Sequence, residues 1–270
     1  MKKSEFPQIK VTRRTFLGRA AAMGALAGLP AWVLEEGSVA AAAVKSPNDQ
    51  PAIGLIGCGG RGTYVASEAA KFGRVIAVCD VDDGHAEQAS KKFNGAKKYH
   101  DFRDLLEKEK VDVIVNGTPD HWHTLVNLAA VHHGKDVYSE KPLTLTIDEG
   151  KHLVEEVRRA KRVLQTGSQQ RSDARFRLAC ELVRNGRLGK LQEVITVLPK
   201  GPHGGPFATA PVPKELDWNL WQGQTHEVEY VPQRCHGSFR YWLDYSGGTM
   251  TDWGAHHNDI ALWGMGLDHS

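Results

Sequence analysis

The stretch that most constrains this chain is "AIGLIGCGGRG", residues 52–62. Residues 52–56 read as a short buried strand. Gly57, Gly59 and Gly62 then give G-x-G-x-x-G, and residues 63–71 read as a helix. The first glycine permits the tight turn, the second lets backbone approach a pyrophosphate, and the third lets helix pack closely on strand. The helix N-terminus offers its unpaired N–H groups to the phosphates. A glycine-rich turn alone is weak evidence, but here both flanks agree. A second apolar strand, "RVIAVCD", ends at Asp80, 18 residues beyond Gly62. An acid at that spacing accepts hydrogen bonds from an adenosine ribose. It also repels a 2′-phosphate, so NAD is expected over NADP, with Arg61 the one loop residue that speaks for NADP.

The alternation continues. Residues 84–93 and 101–108 read as helices and 111–115 as a buried strand. "TPDHWHTLVNLAAVHHG" reads as a helix closed by Gly134, followed by a strand at 136–138 and then "SEKPL". Thr146 and Glu149 form a capping box for a helix running to about residue 161. "RVLQTG" is a further strand. Strands separated by helices imply an α/β fold with a parallel, doubly wound sheet. A dinucleotide-binding Rossmann domain is expected over 50–170 and a second domain over 171–270.

The formal charge is +2, but residues 1–44 hold six basic residues against three acidic ones. The remainder is close to neutral, which argues against nucleic acid as a partner. Arg13-Arg14, Phe16-Leu17, an apolar run over 20–34 and small residues over 38–43 read as a cleavable twin-arginine export signal. The run is short and Ala/Gly-rich for a membrane span, which needs roughly 20 apolar residues. The expected route is the twin-arginine machinery, the expected location periplasmic or otherwise extracytoplasmic, with no stable span after cleavage. Residues 1–44 are set apart from the fold. The four cysteines form no CxxC, so neither a disulfide framework nor a zinc site is indicated.

Near the C-terminus, "TDWGAHHND" (251–259) reads as helical. At about 100° per residue, Asp252, His256 and Asp259 share one face, while His257 falls beside Trp253 and Ile260. The polar face fits a solvated stripe, a metal site or an acid/base dyad. No HExxH-like signature supports a metal, and none is expected. The dinucleotide motif upstream favours the dyad. Oxidising an alcohol requires removal of the O–H proton as hydride leaves carbon, and histidine suits that task near neutral pH. Lys141 can hydrogen-bond the developing alkoxide. Arg171, Arg234, His236, Arg240 and Asp244 are candidates to face a sugar. Trp218, Trp221, Tyr241 and Trp242 could stack on one, although aromatics so spaced are core residues more often.

"GLIGCGGRG", "CDVD", "GTPDHWH", "SEKPL", "LDWNLWQG" and "GGTMTDWGAHHNDI", in this order, resemble the glucose–fructose oxidoreductase/inositol dehydrogenase (Gfo/Idh/MocA) family. The resemblance implies that Lys141 lies beside the nicotinamide and the substrate hydroxyl. It implies that Thr118, Pro119 and His123 line the dinucleotide cleft. Asp252 and His256 match the family's D-x-x-x-H pair, with His256 as acid/base, and Asp259 matches the acid that follows. The expected cofactor-binding set is Gly57, Gly59, Gly60, Arg61, Gly62, Asp80, Thr118, Pro119, His123 and Glu140; the expected substrate set is Arg171, Arg240 and Asp259. Family members are longer, so the second domain is expected as an incomplete, C-terminally short α+β unit with a mainly antiparallel sheet. Self-association into a homo-oligomer is left open. The expected function is an NAD-dependent oxidoreductase acting on a hydroxyl of a sugar, polyol or glycoside. Two other readings stand beside it: an NAD-using glycosidase or lyase working by transient sugar oxidation, and a non-catalytic dinucleotide-binding protein.

Overall fold

The computed structural model describes residues 50–268; the export-signal reading lies outside them. Six parallel strands form one sheet in the order β3-β2-β1-β4-β5-β6. They are β1 (Ala52–Ile56), β2 (Arg74–Cys79), β3 (Lys97–Tyr99), β4 (Val113–Asn116), β5 (Asp136–Glu140) and β6 (Leu164–Gly167). Helices α1 (Gly60–Ala69), α2 (Asp83–Lys92), α3 (Phe102–Lys108), α4 (Asp120–His132) and α5 (Ile147–Ala160) supply the crossovers. This is the doubly wound order, in which the connections reverse direction between β1 and β4.

Both sheet faces are covered, which explains the nearly unbroken apolar strands. Leu55, Val78 and Val115 pack with Val65 and Ala66 of α1 on one face. Ala77, Cys79 and Ile114 pack with Leu105 of α3 and Val126 and Val131 of α4 on the other. Each fully buried leucine or valine contributes about 2 kcal/mol of burial. The capping box forms as expected: Thr146 Oγ1 accepts from Glu149 N–H at 3.2 Å, and Glu149 accepts from Thr146 N–H at 3.3 Å.

Beyond β6 come α6 (Ala174–Arg184), α7 (Trp218–Gln222), α8 (Gly248–Asp252) and α9 (Gly254–Met265). Leu216, Trp218, Trp221, Tyr230, Phe239 and Tyr245 form a separate apolar cluster that packs against Val81 after β2. The antiparallel sheet expected over 171–270 does not appear among the described residues. There is only an isolated antiparallel bridge, Asp82 to Leu216. Val194, Ile195 and Val197 have the β-branched composition of a strand, but they are exposed and run through a segment without strand pairing. Hydrogen bonds cross the expected boundary at 170, and residues from 50 onward pack as one unit. Among the described residues, no helix is long and apolar enough to cross a membrane.

Candidate active site and cofactor cleft

A cavity of about 320 Å³ opens at the C-terminal ends of β1, β2, β4 and β5, the switch point of the sheet. Three glycines make its floor. Gly57 has φ +85°, and a Cβ there would lie 2.5 Å from the Gly117 backbone. A Cβ on Gly62 would stand 2.0 Å from Gly57 O, and one on Gly117 2.5 Å from Gly62 Cα. Gly117, which the sequence reading passed over, follows β4 and packs its backbone directly against this turn. Gly59 and Gly60 also line the cavity, but a Cβ on either meets nothing within 4 Å. Gly59 is the N-cap of α1 and carries no side-chain acceptor. The first-turn N–H groups thus face an open cradle of the kind that takes a pyrophosphate.

Asp80 sits on the β2 side. Its Oδ2 accepts from Cys58 N–H at 2.6 Å and its Oδ1 from Asp82 N–H at 2.9 Å. Burial raises its carboxyl above the usual range, and those two backbone donors oppose the rise. Two bonds leave lone pairs for a ribose hydroxyl. Arg61 points the other way: its Nε donates to Glu140 Oε1 at 2.8 Å and its Nη2 to Gln169 Oε1 at 3.1 Å. Glu140 ends β5, on the far side of β1 from Asp80, so Arg61 is engaged away from the ribose end. Asp82, His85 and His236 bring three ligand-type atoms within 4.8 Å of one another at this end. Asp82 is already occupied, its Oδ1 accepting from His85 N–H at 3.0 Å to cap α2 and its Oδ2 3.5 Å from His236 Nε2.

Thr118 and Pro119 line the cavity beside His123. The His123 ring is buried, with Nε2 2.8 Å from Thr118 O and Nδ1 2.6 Å from Pro142 O. It clamps the turn after β4 to the turn after β5 and so places Lys141. Lys141 Nζ donates to the Asp252 carboxylate and, at 3.2 Å, to the Asp252 carbonyl. Arg240 Nε stands 3.4 Å from the same carboxylate. Lys141 and Arg240 line the cavity; Asp252 holds them from behind.

The DxxxH segment is two helices, α8 and α9, joined at Trp253. His256 is buried at 5% exposure, while His257 is half-buried with Nδ1 3.0 Å from Val197 O. The expected partnering changes. Asp252 is bound to two cations, and His256 Nε2 instead lies 3.1 Å from Gln169 Nε2. Burial, and next the Lys141 charge, lower the His256 pKa, while Asp252 pulls it upward. Asp252 therefore acts on His256 through its field, not through a hydrogen bond. His256 is not on the cavity wall. Arg171 and Asp259, expected to face substrate, pair with each other at 2.7 and 2.8 Å, away from the cavity. A two-bond guanidinium–carboxylate pair satisfies both groups where they are. Trp218 and Trp221 stack at 4.9 Å within the apolar cluster, although Trp221 also reaches the cavity.

Asp120 is a buried, cavity-lining acid that the sequence reading missed. It begins α4, is 4% exposed and lines the cavity near Lys141. Its Oδ2 accepts from Ser246 Oγ at 2.5 Å. Burial raises its carboxyl, opposed by His123, Ser246, Arg240 and Lys141. The signal was present in "TPDHWH", one residue after Pro119.

The parallel sheet, the glycine cradle and the acid at the end of β2 define a dinucleotide-binding fold. Residues 52–168 match the oxidoreductase family with an NAD-binding Rossmann fold, and residues 205–270 match its C-terminal alpha/beta domain. The chain belongs to the Gfo/Idh/MocA family of oxidoreductases, whose cofactor domain binds NAD. It is similar to a myo-inositol 2-dehydrogenase of Thermotoga maritima, 30% identical over 157 residues, covering 57% of this chain and 47% of that protein. It is also similar to a glycosyl hydrolase family 109 protein of Solibacter usitatus, 34% identical over 158 residues, covering 54% of this chain and 36% of that protein. Among solved structures, a myo-inositol 2-dehydrogenase from Lactobacillus plantarum aligns with a TM-score of 0.50 and 26% identity, over 52% of this chain and 43% of that one. The chain spans about half the length or less of these relatives.

Proposed function

We propose that this chain carries the cofactor cleft and reacting residues of an NAD-dependent dehydrogenase acting on a hydroxyl of a polyol or sugar. The observation that carries the reading is Lys141, which lines the cavity where the turns after β4 and β5 meet and is fixed there by Asp252. The glycine loop would hold the pyrophosphate, Asp80 the adenosine ribose, and Thr118 and Pro119 the wall of the nicotinamide half. Bound NAD supplies the hydride acceptor. Lys141 hydrogen-bonds the substrate oxygen and stabilises its negative charge as the proton leaves, an effect worth about 10²–10³ in rate. His256, kept neutral by burial, takes that proton. His256 does not line the cavity, so a bridging water carries the proton to it. Arg240 and Asp120 face the remaining hydroxyls.

The test is NADH formation on a panel of inositols, sugars and glycosides, with Lys141→Met as control. The reading stands if a polyol or sugar yields NADH and the variant retains NAD binding without turnover. It fails if no member of the panel yields NADH.

A second reading, transient oxidation that serves glycoside cleavage, is favoured by the likeness to the glycosyl hydrolase family 109 protein. It gives aglycone release from a chromogenic glycoside with no added NAD and no net NADH. Arg13-Arg14 and the apolar run that follows support a location of the protein outside the cytoplasm. Replacing both arginines by lysine should leave it in the cytoplasmic fraction, and unchanged export would refute that placement.

A further inference from the structure

We infer that Gln169 is a positioning residue that fixes which nitrogen of His256 carries the proton. The inference rests on the reading of His256 as acid/base, but the tautomer itself can be read without turnover. Four side chains from four parts of the fold form a continuous chain of contacts. Glu140, buried at the end of β5, accepts from Arg61 Nε at 2.8 Å. Arg61 Nη2 donates to the Gln169 amide at 3.1 Å. A guanidinium only donates, so the amide atom facing it must be the oxygen. The amide nitrogen is then the atom that lies 3.1 Å from His256 Nε2. An amide N–H₂ also only donates, so Nε2 must present its lone pair and the ring proton must sit on Nδ1. Nδ1 is buried and has no hydrogen-bond partner among the described residues, so nothing on that side competes for the tautomer.

Two consequences follow for the reaction. With Nδ1 protonated, Nε2 is the ring atom able to receive a proton, and to do so it must give up the Gln169 amide N–H. Protonating Nε2 sets its N–H against the amide N–H₂, so the amide must turn and release Arg61. The charged groups around the ring divide as follows: Lys141 after β5, Arg61 on α1 and His257 on α9 oppose its protonation, and Asp252 on α8 favours it. Because Arg61 belongs to the glycine loop, the state of the acid/base histidine is tied to the loop that cradles the phosphates.

The experiment is long-range ¹H–¹⁵N correlation on the full chain labelled with ¹⁵N-histidine, with the His256 signals assigned by their loss in His256→Asn. Wild type should show the Nδ1–H pattern at neutral pH. Gln169→Glu replaces the donor by an acceptor, so its ring should switch to the Nε2–H or imidazolium pattern and titrate at higher pH. Gln169→Leu should show a mixture of tautomers, and His257 should be unchanged in every variant. An Nε2–H ring in wild type, or an Nδ1–H ring that survives Gln169→Glu, overturns the inference. Turnover separates it from the functional reading. Gln169→Glu should lower kcat about 100-fold, with NAD affinity retained. A tautomer that switches while kcat does not move would keep the assignment of Gln169 and remove His256 from the acid/base role.

Discussion

The two ends of the cleft are built by different means. The phosphate and ribose end comes from residues 50–82, with Gly117 added from the turn after β4. Its contacts are backbone ones: Gly57, Gly62 and Gly117 nested together, and Asp80 held by two main-chain N–H groups. The reactive end is assembled from side chains far apart in sequence. Lys141 meets Asp252 across 111 residues and Asp120 meets Ser246 across 126. The first end exists once the sheet has formed. The second exists only when the later residues dock on the sheet, so the two should fail separately.

Gly62→Ala should produce the largest effect. A Cβ 2.0 Å from Gly57 O cannot be accommodated without moving backbone. The expected loss is about 3 kcal/mol of stability, together with NAD binding, read by thermal unfolding and titration. Binding retained at wild-type strength would break the claim that this turn is the cradle. Lys141→Met should strike the other end alone, lowering kcat about 10³-fold while NAD affinity changes only a few-fold.

Acid should loosen the reactive end before the sheet. His121 on α4 is buried between Trp221 and Tyr245, with Nε2 2.9 Å from Trp221 O, and burial lowers its pKa to about 4. A depressed histidine pKa means the unfolded chain binds the proton more readily. The stabilisation is therefore complete above the unfolded value of about 6.5 and is lost as pH falls towards about 4. At most it amounts to about 3 kcal/mol. Chemical denaturation across that window checks it, and His121→Gln should flatten the slope. Asp120→Asn is the mildest change. It should raise KM for the polyol about tenfold and leave NAD binding untouched, sharpening the division between the ends.

The same division governs what could be read from sequence. The β1–α1–β2 unit was legible because its signals are local: apolar strands, three spaced glycines and an acid at a fixed distance. The capping box of α5 was legible for the same reason. Helical phase told His256 and His257 apart but set His256 on the polar face and His257 on the apolar side, whereas the structure buries His256 and leaves His257 half-buried. It could not show that Asp259 would be taken by Arg171, 88 residues away. Nor could it show that Asp252 would turn to Lys141 and Arg240, because a carboxylate prefers two cations to a neutral imidazole. Gln169 and Asp120 escaped notice because their roles depend on partners supplied by other elements. The antiparallel sheet expected from resemblance was the least local expectation, and the described residues show no such pairing.

The central claim is that the two ends meet to pass hydride between a polyol or sugar carbon and nicotinamide. The most direct test is to incubate the protein with NAD and substrates deuterated at the carbinol carbons, myo-inositol first, and follow the label by mass spectrometry. The account predicts deuterium in the nicotinamide ring of the NADH formed, and none with Lys141→Met. Label that remains in the sugar while a glycosidic bond is cleaved, or that never leaves any substrate offered, would contradict it.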